Sequence, residues 1–190
     1  MGLPEHLEHE TMKRVITIGG LHGTGKSSVA DAIAERFDLR RVSAGVIFRQ
    51  LAAERGLSLE EFSRIAEKDK EIDRLIDDRL KSSAEEGGVV IDGQLAGWMA
   101  GDNADLKIML TAPVEVRVKR IADRDGTDYE DALQETLARE ASERERYSEY
   151  YGVDISDLSI YDMILDTTDR TLREVIEIVC EAVRRALSGR

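Results

Sequence analysis

Gly20-Leu21-His22-Gly23-Thr24-Gly25-Lys26-Ser27 follows directly on the β-branched run Val15-Ile16-Thr17-Ile18 and Gly19. It leads into apolar residues at helical spacing, Val29, Ala30, Ile33, Ala34 and Phe37. A strand, a glycine-rich turn and an amphipathic helix are therefore read in that order, with the pattern G-x-x-x-x-G-K-[ST] at the turn. Glycines let the backbone curl so that successive N–H groups face one anion, and the positive end of the helix adds to the field. Lys26 is placed to neutralise the β- and γ-phosphates of a bound nucleotide, and the Ser27 hydroxyl to ligate Mg²⁺. The competing reading, a glycine turn capped by serine, gives no reason for a lysine at that spot. Residues 20–28, Ser28 included, are the expected ATP-binding set. His22 occupies a variable position and is read as solvent-facing filler, with a catalytic histidine as the alternative.

Working outward, Val89-Val90-Ile91, Leu106-Lys107-Ile108-Met109-Leu110 and Met163-Ile164-Leu165 read as further strands, and Arg41-Val42 leads into Ser43-Ala44-Gly45 and a helix-like stretch ending at Gly56. Ser58 with Glu61, and Thr127 with Glu130, fit capping boxes. A charged helix is expected over 71–86, one from Pro113 to about Arg124, a long polar one to Tyr151 with Gly152 at its end, and a last one with apolar residues from Leu172 to Leu187. Strands that are continuous apolar runs, alternating with helices, predict an α/β fold in three layers, a parallel sheet with helices on both faces. The segment 127–151 is polar enough to be a flap on the domain. Residues 1–12, polar and without periodicity, are read as a disordered leader or tail, leaving 13–190 as one domain.

The 190 residues suit a single domain. No apolar run approaches the ~20 residues of a membrane helix, and residues 1–12 lack the apolar core of a signal peptide. The single cysteine, Cys180, excludes an internal disulfide framework and a cysteine-rich zinc site. The expectation is a soluble, cytoplasmic protein, and a monomer. A net charge of −12 and pI near 4.8 argue against nucleic acid or anionic membrane as partner. The bases comprise 20 Arg and 7 Lys. This fits either a salt-adapted surface or an arginine-rich anion site.

Asp92 ends the second apolar strand and precedes Gly93, so it falls beside the phosphate loop near the metal's water shell, unless it is simply the Asp of an Asp-Gly turn. Arg120 and Arg124 share one helix face, as do Arg139 and Arg146, with Glu143 between the latter two. Arg49 is a further phosphate candidate. Each of these also fits an ordinary solvated surface.

These features together resemble the P-loop nucleoside monophosphate kinases, and more narrowly the archaeal-type cytidylate kinases. The resemblance runs from Arg14 to Leu187. It rests on the phosphate loop, on Val42-Ser43-Ala44-Gly45-Val46-Ile47-Phe48-Arg49, on residues 56–62, on Asp92-Gly93-Gln94-Leu95-Ala96-Gly97-Trp98-Met99, and on residues 146–154 and 157–162. It implies a P-loop NTPase fold with a five-stranded parallel sheet, an acceptor-binding segment over about 43–87 and a lid over about 125–152. By that resemblance Arg49 holds the acceptor phosphate. Ser43 and Asp73 lie near the acceptor nucleoside, with Asp92, Gly93 and Gln94. Arg120 lies over the ATP adenine or phosphates with Arg124 nearby, and Arg139 and Arg146 close from the lid onto the transferred group. Lys26, Arg120, Arg139 and Arg146 are the implied catalytic set. Gln94 departs from the pattern, since the family usually carries Arg there, and Gln brings no charge.

The implied reaction is ATP plus CMP or dCMP to ADP plus CDP or dCDP, with Mg²⁺. An acceptor that is already an anionic phosphate requires no general base. The alternatives are an adenylate kinase-like or other small-molecule kinase, against which the stretch Asp92-Gly93-Gln94-Leu95-Ala96 replaces the expected Asp-Gly-Phe-Pro-Arg, and a nucleotide-dependent switch, for which no Asn-Lys-x-Asp occurs. Cys180 is expected in the core.

Overall fold

The computed structural model describes residues 14–188; the leader proposed for residues 1–12 lies outside them. Five strands, β1 (Val15–Gly19), β2 (Arg40–Ser43), β3 (Val89–Asp92), β4 (Leu106–Thr111) and β5 (Met163–Asp166), form one sheet in the order β2-β3-β1-β4-β5. Every neighbouring pair is parallel. Parallel neighbours need crossovers, and helices supply them: α1 (Lys26–Phe37), α2 (Ala44–Glu54), α3 (Leu59–Ala66), α4 (Lys70–Glu86), α5 (Ala96–Ala100), α6 (Val114–Asp125), α7 (Tyr129–Tyr151) and α8 (Leu172–Ser188).

The unbroken apolar runs of the strands are explained by two cores. Val15, Val89 and Ile91 pack with Phe48, Leu51, Phe62, Ile72 and Leu80 on one face. Ile16, Ile18, Val90 and Ile108 pack on the other with Val29 and Ile33 of α1 and Val179, Cys180 and Val183 of α8. Successive side chains of a strand point to opposite faces, so a strand covered on both must be apolar throughout. A third, smaller cluster of Val118, Ala122 and Ala132 ties α6 to α7.

The start of α7 departs from the expected capping box. The N-cap is Asp128, whose side chain accepts from the Glu130 N–H at 2.8 Å. Thr127 is unavailable because its own N–H closes the end of α6 on the Ala122 carbonyl, beside that of Gly126. The box of Ser58 and Glu61 forms as read. Helix α7 lies against the domain along an inner face of Thr136, Glu140, Glu143 and Arg146, all buried.

Candidate active site

The carboxyl ends of β1 and β3 lie side by side at the centre of the sheet, Ile18 in register with Asp92. The order reverses at β1, whose neighbours β3 and β4 both come after it in sequence. Ligands of open α/β sheets bind in the crevice at such a switch point. The turn out of β1 fills it. Gly23 has φ 80°, and a Cβ there would stand 2.4 Å from the Arg117 carbonyl oxygen. Gly25, at φ 91°, caps α1 without any side-chain cap bond, which leaves the first amides of the helix aimed outward. Thr24 Oγ1 donates to the Leu21 carbonyl at 2.9 Å and Lys26 Nζ donates to the same oxygen at 3.1 Å, so the lysine folds back over its loop. Burial lowers the Lys26 ammonium to about 8 against the pull of Asp92 and Glu143.

Asp92 lies where the sequence places it. It is 2% exposed and accepts from Ser27 Oγ at 3.2 Å, Ser43 Oγ at 3.1 Å and Arg41 Nε at 3.0 Å. Ser43 also caps α2 by accepting from the Val46 N–H. A Cβ on Gly93 would approach the Ala44 Cβ to 2.9 Å, so the tight join of β3 to α2 requires glycine. A hydroxyl and a carboxylate this close offer the hard oxygens that suit Mg²⁺. Among the described residues no group of three His, Cys, Asp or Glu is placed to hold a metal ion.

Cavities open on either side of the loop, and Lys26 and Ser27 line both. On one side lie Gly23, Ser28, Arg120 and Arg124, continuing past Thr167 and Arg170. Arg120 is fixed there by donating to Thr167 O at 2.6 Å and Thr167 Oγ1 at 2.9 Å. Arg124 pairs with Asp125 at the rim. On the other side a cavity of about 90 Å³ brings together Ser43, Arg49, Asp73, Gln94, Arg139 and Arg146. Arg49 is exposed and makes no ion pair among the described residues. Arg139 bonds Glu143 at 3.1 Å, and Arg146 bonds Asp73 at 2.8 Å. Arg120 and Arg124 thus stand apart from Arg139 and Arg146, across the loop.

His22 corrects its reading as solvent-facing filler. Its side chain is only 20% exposed and its Nε2 lies 2.7 Å from Glu143 Oε2. The Gln94 amide donates to the same oxygen. Burial would raise the Glu143 carboxyl, but His22, Arg139 and Gln94 outweigh it and hold it down at about 2. Burial likewise lowers the imidazole, with Glu143 opposing. The buried pair Arg117–Glu140 joins α6 to α7, and Arg117 also donates to the His22 carbonyl at 2.8 Å. Sequence reasoning missed Arg117, Glu140, Arg41 and Thr167. The run Thr136, Glu140, Glu143, Arg146, polar at helical spacing along one face, was the available signal for a buried polar seam.

A phosphate loop at the switch point of a parallel sheet, covered by an arginine-bearing helix, defines a kinase of the P-loop class in fold. Solved structures agree on that fold. A shikimate kinase from Bacteroides thetaiotaomicron covers 92% of this chain and 98% of its own at TM-score 0.60 and 15% identity. A gluconokinase from Sinorhizobium meliloti covers 94% and 95% at TM-score 0.62 and 16% identity. The chain belongs to the cytidylate kinase-like family, whose model matches residues 15–169. Curated relatives include the cytidylate kinase of Methanocaldococcus jannaschii, 48% identical over 89% of this chain and 97% of that protein. That of Pyrococcus horikoshii is 50% identical over 90% and 88%. Among the described residues no helix is long and apolar enough to cross a membrane.

Proposed function

We propose that the protein transfers the γ-phosphoryl group of ATP to CMP or dCMP. The observation that carries the reading is the pair of cavities meeting at Lys26 and Ser27, one beside Arg120, the other lined by Arg49, Arg139 and Arg146. A phosphoryl transfer needs two anions in line and positive charge at the junction. Lys26 stands at that junction. Arg120 and Arg124, with Thr167 and Arg170, take the donor, and Arg49 meets the acceptor phosphate at the mouth opposite.

Residues 43–87 serve as the acceptor-binding segment and 125–152 as the lid. The acceptor cavity, at about 90 Å³, falls short of the ~300 Å³ at which ligand pockets begin, so α7 moves outward to admit a nucleotide. The incoming phosphates then take Arg139 from Glu143 and Arg146 from Asp73. Reclosure excludes the water that would hydrolyse ATP. Ser27, with Asp92 through water, would hold Mg²⁺, which neutralises charge on the donor phosphates when bound. No side chain is required as a general base, because the acceptor phosphate is already ionised.

Measuring ADP release with ATP and Mg²⁺ over a panel of nucleoside monophosphates tests this. CMP and dCMP are expected to exceed UMP, AMP and GMP. A preference for AMP would replace the reading with an adenylate kinase, and slow hydrolysis unaffected by any acceptor with a nucleotide switch.

A further inference from the structure

The lining of the acceptor cavity includes a group with no role so far. Helix α4 places Asp73 and Asp77 one turn apart on a face that also carries Ile76 and Leu80, and both carboxylates are buried, at 6% and 5% exposure. Their circumstances differ. Asp73 has a counter-ion, Arg146, at 2.8 Å. Asp77 touches no cation among the described residues, and its Oδ2 is buried without a hydrogen-bond partner. The Tyr151 hydroxyl interacts with the carboxylate and favours its ionised form, yet neither it nor Asp77 Oδ2 makes a hydrogen bond of normal geometry. Lys81, one turn further along α4, is exposed.

A buried carboxylate without a counter-ion in contact destabilises a fold, and Tyr151 and Lys81 offset only part of the cost of burying Asp77. It does, however, line the cavity, together with the apolar side chains of Phe48, Ile76, Leu80 and Leu95 and with Tyr147. Apolar and aromatic side chains beside a carboxylate oxygen free to accept suit a flat ring carrying an N–H group.

We propose that Asp77 accepts a hydrogen bond from the exocyclic amino group of the acceptor base and thereby selects cytosine over uracil. The assignment rests on the acceptor reading of this cavity given above. An ionised carboxylate can only accept, cytosine presents an amino group at C4, and uracil presents a carbonyl oxygen there. CMP satisfies both partners; UMP sets two acceptors against each other and leaves each unpaired. Sites built to bond one polar group discriminate strongly against a substrate that lacks it. The proposal commits Asp77, whose Oδ2 is unpartnered before any ligand binds, to the base.

The test compares wild type with Asp77→Asn and Asp77→Ala, measuring kcat and KM for CMP and UMP and, separately, equilibrium binding of each monophosphate without ATP. Asp77→Asn presents a donor as well as an acceptor in nearly the same volume. It is expected to lower kcat/KM for CMP about 10- to 100-fold, mostly through KM, and to shrink the CMP-to-UMP ratio at least tenfold in turnover and in binding. Asp77→Ala shrinks the ratio as well. Equal losses for CMP and UMP, or an unchanged ratio in a folded variant, would overturn the assignment and leave the kinase reading intact. Wild type that binds CMP no better than UMP also overturns it. Failure of the kinase reading shows instead as the absence of acceptor-dependent ADP release in wild type, and the binding ratio still decides the role of Asp77.

Discussion

On the side of the phosphate loop that we read as the donor's, the loop and Arg120 are held largely by main chain, while Arg124 pairs with Asp125. The loop amides are set by Gly23 and Gly25, and Arg120 is clamped onto the Thr167 carbonyl. On the acceptor side the corresponding cations are held by carboxylates, Arg139 by Glu143 and Arg146 by Asp73. A backbone cradle is formed before its ligand arrives and is indifferent to the group attached to the phosphates. A cleft of internally neutralised ion pairs must exchange partners, and only a ligand with the right charges in the right places repays the exchange. Solved kinases of other substrates share the fold at 15–16% identity. On the reading proposed above, the donor half is generic and specificity is written in the acceptor half.

The contrast breaks most visibly at the junction. Lys26→Ala removes the one cation that lines both cavities, and kcat/KM is expected to fall on the order of 10³-fold while the melting temperature holds within a few degrees. Near-normal turnover in a steady-state assay would take Lys26 out of the mechanism. Arg146→Met comes next and should act twice. It strands Asp73 in the interior, at a cost of roughly 3–5 kcal/mol, and it lowers kcat by about 100-fold. The double variant Arg146→Met with Asp73→Asn separates the two, since denaturant unfolding should recover most of the stability while kcat stays low. Recovery of both would make the pair purely structural.

How legible a feature is without the structure depends on the distance over which it is determined. The strand, loop and helix from Val15 to Phe37, and the capping box at Ser58, depend on neighbours a few residues away, and they form as read. The site as a constellation depends on partners far apart in sequence, such as His22 with Glu143 and Asp92 with Arg41. No local pattern announces that a loop histidine will meet a helix 121 residues later. Asp77 is intermediate. An acid within the stripe Asp73, Ile76, Asp77, Leu80 is a visible anomaly, since that spacing marks a buried face. Only the cavity shows what the anomaly faces.

Asp77 also sharpens the comparison through stability. Burial raises its carboxyl from 3.8 to about 6; Asp73 and Asp78 add to the rise, while Tyr151 and Lys81 oppose it. The folded chain therefore holds this proton more tightly than the unfolded one. The associated stability is present below pH ~4 and is lost as the pH rises through about 6, so the ionised group destabilises the free protein at neutral pH. At 1.36 kcal/mol per pH unit the penalty is about 2–3 kcal/mol at pH 8. Asp77→Asn is accordingly expected to raise the melting temperature by roughly 4–10 °C at pH 8, with the gain vanishing near pH 4. A loss of stability at pH 8 would mean that the carboxylate is satisfied by the fold itself.

The smallest effect is expected at Glu143, and it probes the exchange of partners directly. Its carboxylate receives His22, Gln94 and Arg139 at the place where the phosphate loop and α7 meet. If Arg139 meets the substrate phosphates as proposed, anionic substrate and anionic side chain compete for it, and Glu143 sets a threshold that a nucleotide must exceed. Glu143→Gln keeps the volume and one acceptor oxygen for His22 and Gln94, and it frees Arg139 from its counter-charge. The acceptor KM should then fall about 2- to 10-fold with kcat changed less, and the effect should shrink at high salt, where the competing charge is already screened. A rise in KM would show instead that Glu143 holds Arg139 in its working position, and that the acceptor side is as preformed as the donor side.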